Sequence, residues 1–408
     1  MDDLNISEEF GFVIRNLIRS GFEGSFAEHI KDALREWDSP TDNPEEVMGY
    51  LTRKGYDFGT SGLTNHARAV DLMVQLIEYY TTLPSYSILV VSTASILTPP
   101  ERYGGMEKMA DYLSRGLSFL GHHVQVVAKT GSTNPFVIAT AKDEKDFPDA
   151  IANVIDEFDI VIDLSHDKQI GRTFPEMPQL NVYQVMSVGH RVNPVFISSG
   201  QKRHTRLNGP VVHYGLRLED YPVNAGARDD YLLYMGSIIP EKRVEWAIEV
   251  ALKMGRPIKI AGPHWEPDYW TGVITPLLKA EGVDYVGDVG GDRKLELLQR
   301  AFALIHPVGG LNWVEAGAIV AQESNAVGTP VVSTTNGCLP EYIINGENGY
   351  MSDTPDGMIK AMGPMLEGRG PNWLSCRKAT APRNWFKMSI DYHNLTEDVL
   401  KGQNWTGG

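Results

Sequence analysis

Short β-branched runs alternate with helical stretches along most of this chain, and the alternation restarts once. Ile88-Leu89-Val90-Val91, Val124-Gln125-Val126-Val127 and Ile160-Val161-Ile162 are runs of the kind that form buried parallel strands. Met106 to Leu120 reads as a helix that stops at Gly121. Near Asn224-Ala225-Gly226 the pattern begins again. Tyr231–Met235, Ile258–Ala261, Val283–Val286, Ala303–His306 and Pro330–Ser333 read as strands between helical stretches. Alternation of this kind implies a doubly wound parallel sheet with helices on both faces. Occurring twice, it implies an α/β chain with one such domain over 85–225 and a second over 226–380. Ligands of open parallel sheets bind at the carboxyl ends of the strands, so the cleft between the two domains is the expected site.

Residues 1–84 carry a different pattern, and it reads as an all-helical extension. Phe10, Val13, Ile14, Leu17 and Ile18 share one helical face, Ser25 and Glu28 form a capping-box signature, and Ala69, Leu72, Met73, Leu76, Ile77 and Tyr80 form another stripe. The bland reading is a packed extension; a partner-binding or oligomerising role is the sharper one. The whole chain has a formal charge of −15, which argues against a generic binder of nucleic acid or anionic membrane. Two cysteines, Cys338 and Cys376, cannot build a disulfide framework and point to a reducing, cytoplasmic setting. No run of about 18 apolar residues predicts a membrane span. The acidic start, Met1-Asp2-Asp3-Leu4, is unlike a signal peptide.

Three stretches carry chemistry. Tyr103-Gly104-Gly105-Met106-Glu107 joins the first strand to its helix. Adjacent glycines there either make a plain turn or let a phosphate reach backbone N–H groups at a helix start. The second domain opens similarly, with Gly236-Ser237-Ile238-Ile239-Pro240-Glu241-Lys242-Arg243. Two cations at a helix start oppose its dipole. Lys242 and Arg243 are therefore diphosphate ligands or a solvated face. The third is Glu315-Ala316-Gly317-Ala318-Ile319-Val320-Ala321-Gln322-Glu323, leading into the apolar strand around Pro330. Eight residues of helix rise about 12 Å. That is too far for a glycosidase carboxylate pair, at about 5–9.5 Å. It suits one carboxylate on a sugar and the other on a ribose, across a diphosphate; the alternative is two solvated Glu residues on a helix, which the apolar residues between them disfavour.

At these residues the chain resembles the retaining nucleotide-sugar glycosyltransferases of family 4, over about residues 86–407. The most specific element is the pair of Glu residues seven apart, followed by Gly328-Thr329-Pro330-Val331-Val332, Leu339-Pro340-Glu341 and Asn345-Gly346-Glu347-Asn348-Gly349. Leu120-Gly121-His122-His123-Val124 and Tyr285-Val286-Gly287-Asp288-Val289 support it. The resemblance implies the GT-B fold, two Rossmann-like domains facing a cleft. It implies that 381–408 forms a helix crossing back to the first domain. It also implies roles. Glu315 contacts donor-sugar hydroxyls and Glu323 the nucleotide ribose. The backbone of Gly317, Ala318 and Ile319 faces sugar and phosphate. Lys242 neutralises the leaving diphosphate, with Gly104 and Gly105 closing on it. The nucleobase lies near Gly262 and the Val286-Gly287 turn.

The chain departs from the family pattern at three places. Ser237 follows Gly236 where the family has Arg, and Gly317-Ala318 replaces an aromatic-Gly pair. None of Val185-Met186-Ser187, where a His-Gly pair is usual, is a His; His166 is the candidate cleft histidine instead. The implied reaction transfers sugar from a UDP- or GDP-sugar to a hydroxyl acceptor, with no cofactor and no catalytic metal, since no Asp-x-Asp occurs. Arg191, Lys202, Arg203, Arg206 and Arg217 form a basic excess in the first domain, either ordinary solvated charge or the contact surface of an anionic or nucleic-acid-linked acceptor. The rival readings are a GT-B-like sugar-nucleotide epimerase and a degenerate glycosyltransferase that binds or scaffolds.

Overall fold

A computed structural model describes residues 83–186, 190–310 and 313–405. The helical extension expected over 1–84 falls outside the described residues, apart from its last two. The strand β1 (Ser87–Val91) is buried on both faces because its two side-chain rows meet separate apolar clusters. Ile88 and Val90 pack with Met109, Leu113 and Leu117 of helix α1 (Gly105–Phe119). Leu89 and Val91 pack with Phe147 and Ile151 on the other side. A strand covered on both faces is largely apolar, and Ile88 to Val91 show it as a continuous run.

The first sheet continues with β2 (His123–Lys129), β3 (Val137–Ala141), β4 (Ile160–Asp163), β5 (Gln179–Tyr183) and β6 (Pro194–Phe196). The order is β3-β2-β1-β4-β5-β6, and every pairing is parallel. The second sheet holds β7 (Leu232–Met235), β8 (Ile258–Ala261), β9 (Val283–Gly287), β10 (Ala303–His306), β11 (Val331–Ser333) and β12 (Gly349–Met351). Its order is β12-β11-β10-β7-β8-β9, also parallel, with helices α2 (Val244–Met254), α3 (Gly291–Arg300) and α4 (Ile319–Ala326) among its connections. Counted from its own first strand, each sheet follows the same order, 3-2-1-4-5-6. The order therefore reverses between β1 and β4 in one sheet and between β7 and β10 in the other. Such reversal points leave an open crevice at the strand carboxyl ends.

After α5 (Trp373–Thr380) the chain recrosses to the first domain, where α6 (Trp385–Leu400) packs against α1. The crossing is close: a Cβ added at Gly116 would lie 1.9 Å from Ser389 Oγ. Phe119 meets Trp385 and Phe386 with ring centroids 5.7 and 5.6 Å apart. A buried histidine pair pins the same helix. His393 Nδ1 lies 3.0 Å from His122 Nε2, while His122 Nδ1 accepts the Tyr86 N–H at 3.2 Å. Beyond α6, Trp405 exchanges hydrogen bonds with Asn193, N–H to Oδ1 and N–H to carbonyl, both at 2.9 Å.

Candidate active site

The two reversal points face one cavity of about 560 Å³. From the first domain its walls include Arg102 to Lys108 at the start of α1, and His166 in the loop after β4. From the second they include Gly236 and Ser237 after β7, Gly262 after β8, Lys242, His306 at the end of β10, and Glu315 to Val320 with Glu323.

Lys242 ends a short turn, Pro240–Lys242, and its Nζ is ion-paired with Glu315 Oε2; the two side chains are only 12% and 9% exposed. His306 Nε2 lies 4.0 Å from the same carboxylate oxygen, and the Trp313 ring centroid is 5.7 Å from Nζ. Burial alone would push the Glu315 carboxyl up, but Lys242 and His306 outweigh it and hold the carboxyl below its ordinary value. The Lys242 ammonium, which burial would weaken, is held above its ordinary value by Glu315. Burial, with Lys242 nearby, pulls the His306 imidazole down to about 4, so it is neutral at pH 7. Both of its ring nitrogens are buried without a hydrogen-bond partner.

Glu323 forms the opposite end of this wall. Its Oε1 accepts from Lys108 Nζ, Tyr221 OH and Lys294 Nζ, each at 2.7 Å, and its Oε2 lies 2.6 Å from Lys294 Nζ. Burial would raise this carboxyl; Lys108 and Lys294 instead hold it down at about 2. Lys294, buried and beside Lys108, falls to about 8 despite Glu323. Lys108 belongs to α1, so this network joins the two domains.

His166 presents its ring to the cavity from a firmly held loop. Glu144 Oε1 lies 2.8 Å from His166 Nδ1, and Glu144 Oε2 accepts the N–H groups of His166 and Asp167 at 2.8 and 3.0 Å. That bond to Glu144 raises the imidazole above its ordinary value. Glu107, also at the wall, is buried beside Thr93, and burial pushes its carboxyl up.

Several expectations need correction. The Glu315–Glu323 segment is not helical throughout: α4 starts at Ile319, so Glu315 sits in an irregular approach and the 12 Å helical rise does not apply. Small residues there serve close packing. A Cβ on Gly317 would lie 2.8 Å from Ile197 Cδ1 and 2.9 Å from Tyr214, both first-domain residues. Two of the three backbone N–H groups expected to face ligand have internal partners: Ala318 donates to Cys338 Sγ at 3.3 Å and Ile319 to Gly317 O at 3.0 Å. Gly104 and Gly105 likewise admit protein. A Cβ on Gly105 would lie 2.7 Å from Ile319 Cδ1 across the cleft, and Gly104 takes a positive φ of 150°.

Arg243 is not on the cavity wall; its guanidinium lies 4.2 Å from the Trp246 ring centroid, so Ser237 gains no replacement cation from it. Val286 and Gly287 are not on the cavity wall, which Asp288 and Val289 reach instead. Gly287 O accepts the Gly262 N–H at 2.9 Å. Arg191, Lys202, Arg203 and Arg206 lie outside the cavity wall. Arg217 is engaged elsewhere, with Nε 3.3 Å from Glu219 and its guanidinium 5.4 Å from the Trp385 ring.

Sequence reasoning missed Lys108, Lys294, Tyr221, Glu144, His306 and Trp265. Lys108 directly follows the quoted Gly-Gly-Met-Glu run, and His306 is a polar ring ending an apolar strand, so both left a signal. Trp265 is 54% exposed at the cavity rim, with its ring centroid 4.9 Å from that of Tyr103 in an edge-to-face arrangement. Among the described residues, no group of three or more His, Cys, Asp or Glu could hold a metal ion, and no helix is long and apolar enough to cross a membrane.

Residues 221–369 match the family model described as Glycosyl transferases group 1. Glycogen synthase of Mycobacterium tuberculosis (strain H37Rv) is 28% identical over 171 residues, 40% of this chain and 40% of that protein. The chain thus spans about two fifths of the length of the curated relatives it matches. Among solved structures, AviGT4, a glycosyltransferase involved in avilamycin A biosynthesis, aligns with a TM-score of 0.67 and 26% identity, covering 79% of this chain and all of that one. HepE of Anabaena in complex with UDP and glucose aligns with a TM-score of 0.59 and 12% identity, over 76% and 99%. The fold of two facing parallel-sheet domains is the GT-B fold of these neighbours.

Proposed function

We propose that this protein is a retaining glycosyltransferase of the family 4 type, moving a sugar from a UDP- or GDP-sugar to a hydroxyl acceptor. The observation that carries the reading is the buried Lys242–Glu315 pair facing the cavity between the two reversal points, with the Glu323 network farther along the same wall. A buried ammonium at the carboxyl end of a parallel sheet, already preorganised by a carboxylate, is suited to a diphosphate. HepE, of the same fold, has been seen with UDP and glucose.

In the proposed reaction the bond from the sugar's anomeric carbon to the diphosphate oxygen breaks, and a bond from that carbon to the acceptor oxygen forms on the same face. The acceptor's proton passes to the departing phosphate oxygen. Negative charge grows on the diphosphate as the bond breaks, and Lys242 with the start of α4 stabilises it. Preorganised groups of this kind are each worth roughly 2.7–4 kcal/mol of barrier. No metal ion is part of the proposal, because Lys242 supplies the countercharge. Glu315 meets sugar hydroxyls, and His166 stands on the first-domain side, where the acceptor enters. Arg191, Lys202, Arg203 and Arg206 would meet only the distal part of an anionic acceptor. The setting is cytoplasmic, in keeping with two free, buried cysteines.

Binding of UDP, GDP and their hexose conjugates, measured by calorimetry on the full chain, tests this. At least one nucleotide is expected to bind, and Lys242→Ala to weaken it at least tenfold, the loss of one charge-assisted contact. Absence of binding by all of them would sink the reading.

A further inference from the structure

Glu323 is expected to meet the nucleotide ribose, and the structure limits how it can do so. A carboxylate offers about four acceptor positions, two on each oxygen. On Oε1, three donors, Lys108, Tyr221 and Lys294, each at 2.7 Å, already share the two positions, so none is left on that oxygen. On Oε2, Lys294 occupies one position at 2.6 Å. One position remains. The carboxylate is 2% exposed and held by partners from α1, from α3 and from the 221 loop, so it cannot swing to offer more. Tyr221 OH is itself fixed, accepting from Lys108 Nζ at 3.0 Å.

A ribose presents two neighbouring hydroxyls. A carboxylate that reads both needs two free acceptor positions, and this one has a single position, on Oε2. We propose that Lys108, Tyr221 and Lys294 are specificity-determining residues that leave Glu323 able to accept a single ribose hydroxyl, so that the site takes one class of deoxynucleoside diphosphate nearly as well as the ribonucleotide. The inference rests on the reading of this cavity as a nucleoside-diphosphate site. The three residues do two jobs: they join the domains across the cleft, and they use up the acceptor capacity that would tell ribose from deoxyribose.

The test is calorimetry on the full chain with UDP and GDP and with the 2′-deoxy and 3′-deoxy forms of each. For the nucleotide that binds, one deoxy form is expected within about threefold of the parent and the other roughly 10- to 100-fold weaker, the loss of one hydrogen bond to a charged acceptor. Tenfold or greater losses for both forms would overturn the proposal, because the diol would then be read as a pair. No loss for either would also overturn it, because Glu323 would not meet the ribose. Failure of both parent nucleotides to bind would instead overturn the reading beneath it. A second measurement uses the Lys108→Met/Tyr221→Phe double variant, which keeps a balanced Lys294–Glu323 pair and frees a position on Oε1. It is expected to discriminate against the formerly tolerated deoxy form by about tenfold. A folded double variant with unchanged discrimination would refute the role of Lys108 and Tyr221.

Discussion

Replacing His122 with asparagine tests how α6 is held to the first domain. His122 Nδ1 accepts a backbone N–H, so its neutral ring carries the proton on Nε2 and donates it to His393 Nδ1. A second proton on His122 would have to occupy the position already filled by the Tyr86 N–H. Burial, with His393 alongside, pulls the His122 imidazole from its ordinary 6.5 to about 4. The unfolded chain therefore takes up a proton near pH 6.5 and the native chain only near pH 4. The stabilisation is complete above 6.5, declines as the pH falls through this window, and is gone below 4. At about 1.4 kcal/mol per pH unit the full loss is roughly 3 kcal/mol. Asparagine at 122 can accept the Tyr86 N–H through its amide oxygen without titrating, although its shorter side chain gives up the contact to His393. Urea unfolding followed by tryptophan fluorescence from pH 7.5 to 4.5 should show the wild type losing roughly 2–3 kcal/mol more than the variant. His306 titrates in the same window but is common to both proteins, so it cancels. Parallel declines, within about 0.5 kcal/mol, would refute the reasoning.

Two further outcomes follow from the site. Glu144→Gln removes the charge that raises His166, so whatever inflection His166 contributes to the pH profile of kcat/KM should move to lower pH; an unmoved profile would mean that His166 does not report to the chemistry. Lys168 and Glu107 also face His166 and are unaltered in this variant. Trp265→Ala removes a half-exposed ring at the cavity rim and should leave the thermal midpoint within about 2 °C while weakening nucleotide binding roughly tenfold, since base–aromatic stacking is worth about 1–3 kcal/mol. Unchanged nucleotide affinity would place the base elsewhere.

Much of the architecture could be read from residues because its central strands are covered on both faces. β1, β4 and β10 are apolar for that reason and were legible. β5 was not: Gln179 and Asn181 break its apolar run, yet both are buried, with Asn181 donating to Gln179 Oε1 at 3.0 Å and to Val192 O at 2.8 Å. β3 lies at an edge with alternate residues exposed, and β6 (Pro-Val-Phe) and β12 (Gly-Tyr-Met) are short edge strands without a β-branched run. At the site, Glu315 was legible because a carboxylate stood among apolar and small residues, and Lys242 because two adjacent cations stood at the start of a helical stretch. Lys294 was not. It lies in a helix next to Arg293, which is half-exposed and paired with Glu296, and nothing local separates the two cations. Only the fold turns one toward Glu323. The starting point of α4 was misjudged because an Ala- and Gly-rich segment is equally compatible with a helix and with close packing between domains.

The path of the chain has a consequence for how the protein is made. A ribosome that has reached residue 380 has synthesised every strand of both sheets. It still withholds the side chains of Trp385, Phe386 and Tyr392, which cover α1, and the His393 that grips His122. The domain synthesised first is the last to be sealed, and until then it offers an uncovered greasy flank to the crowded surroundings of the nascent chain.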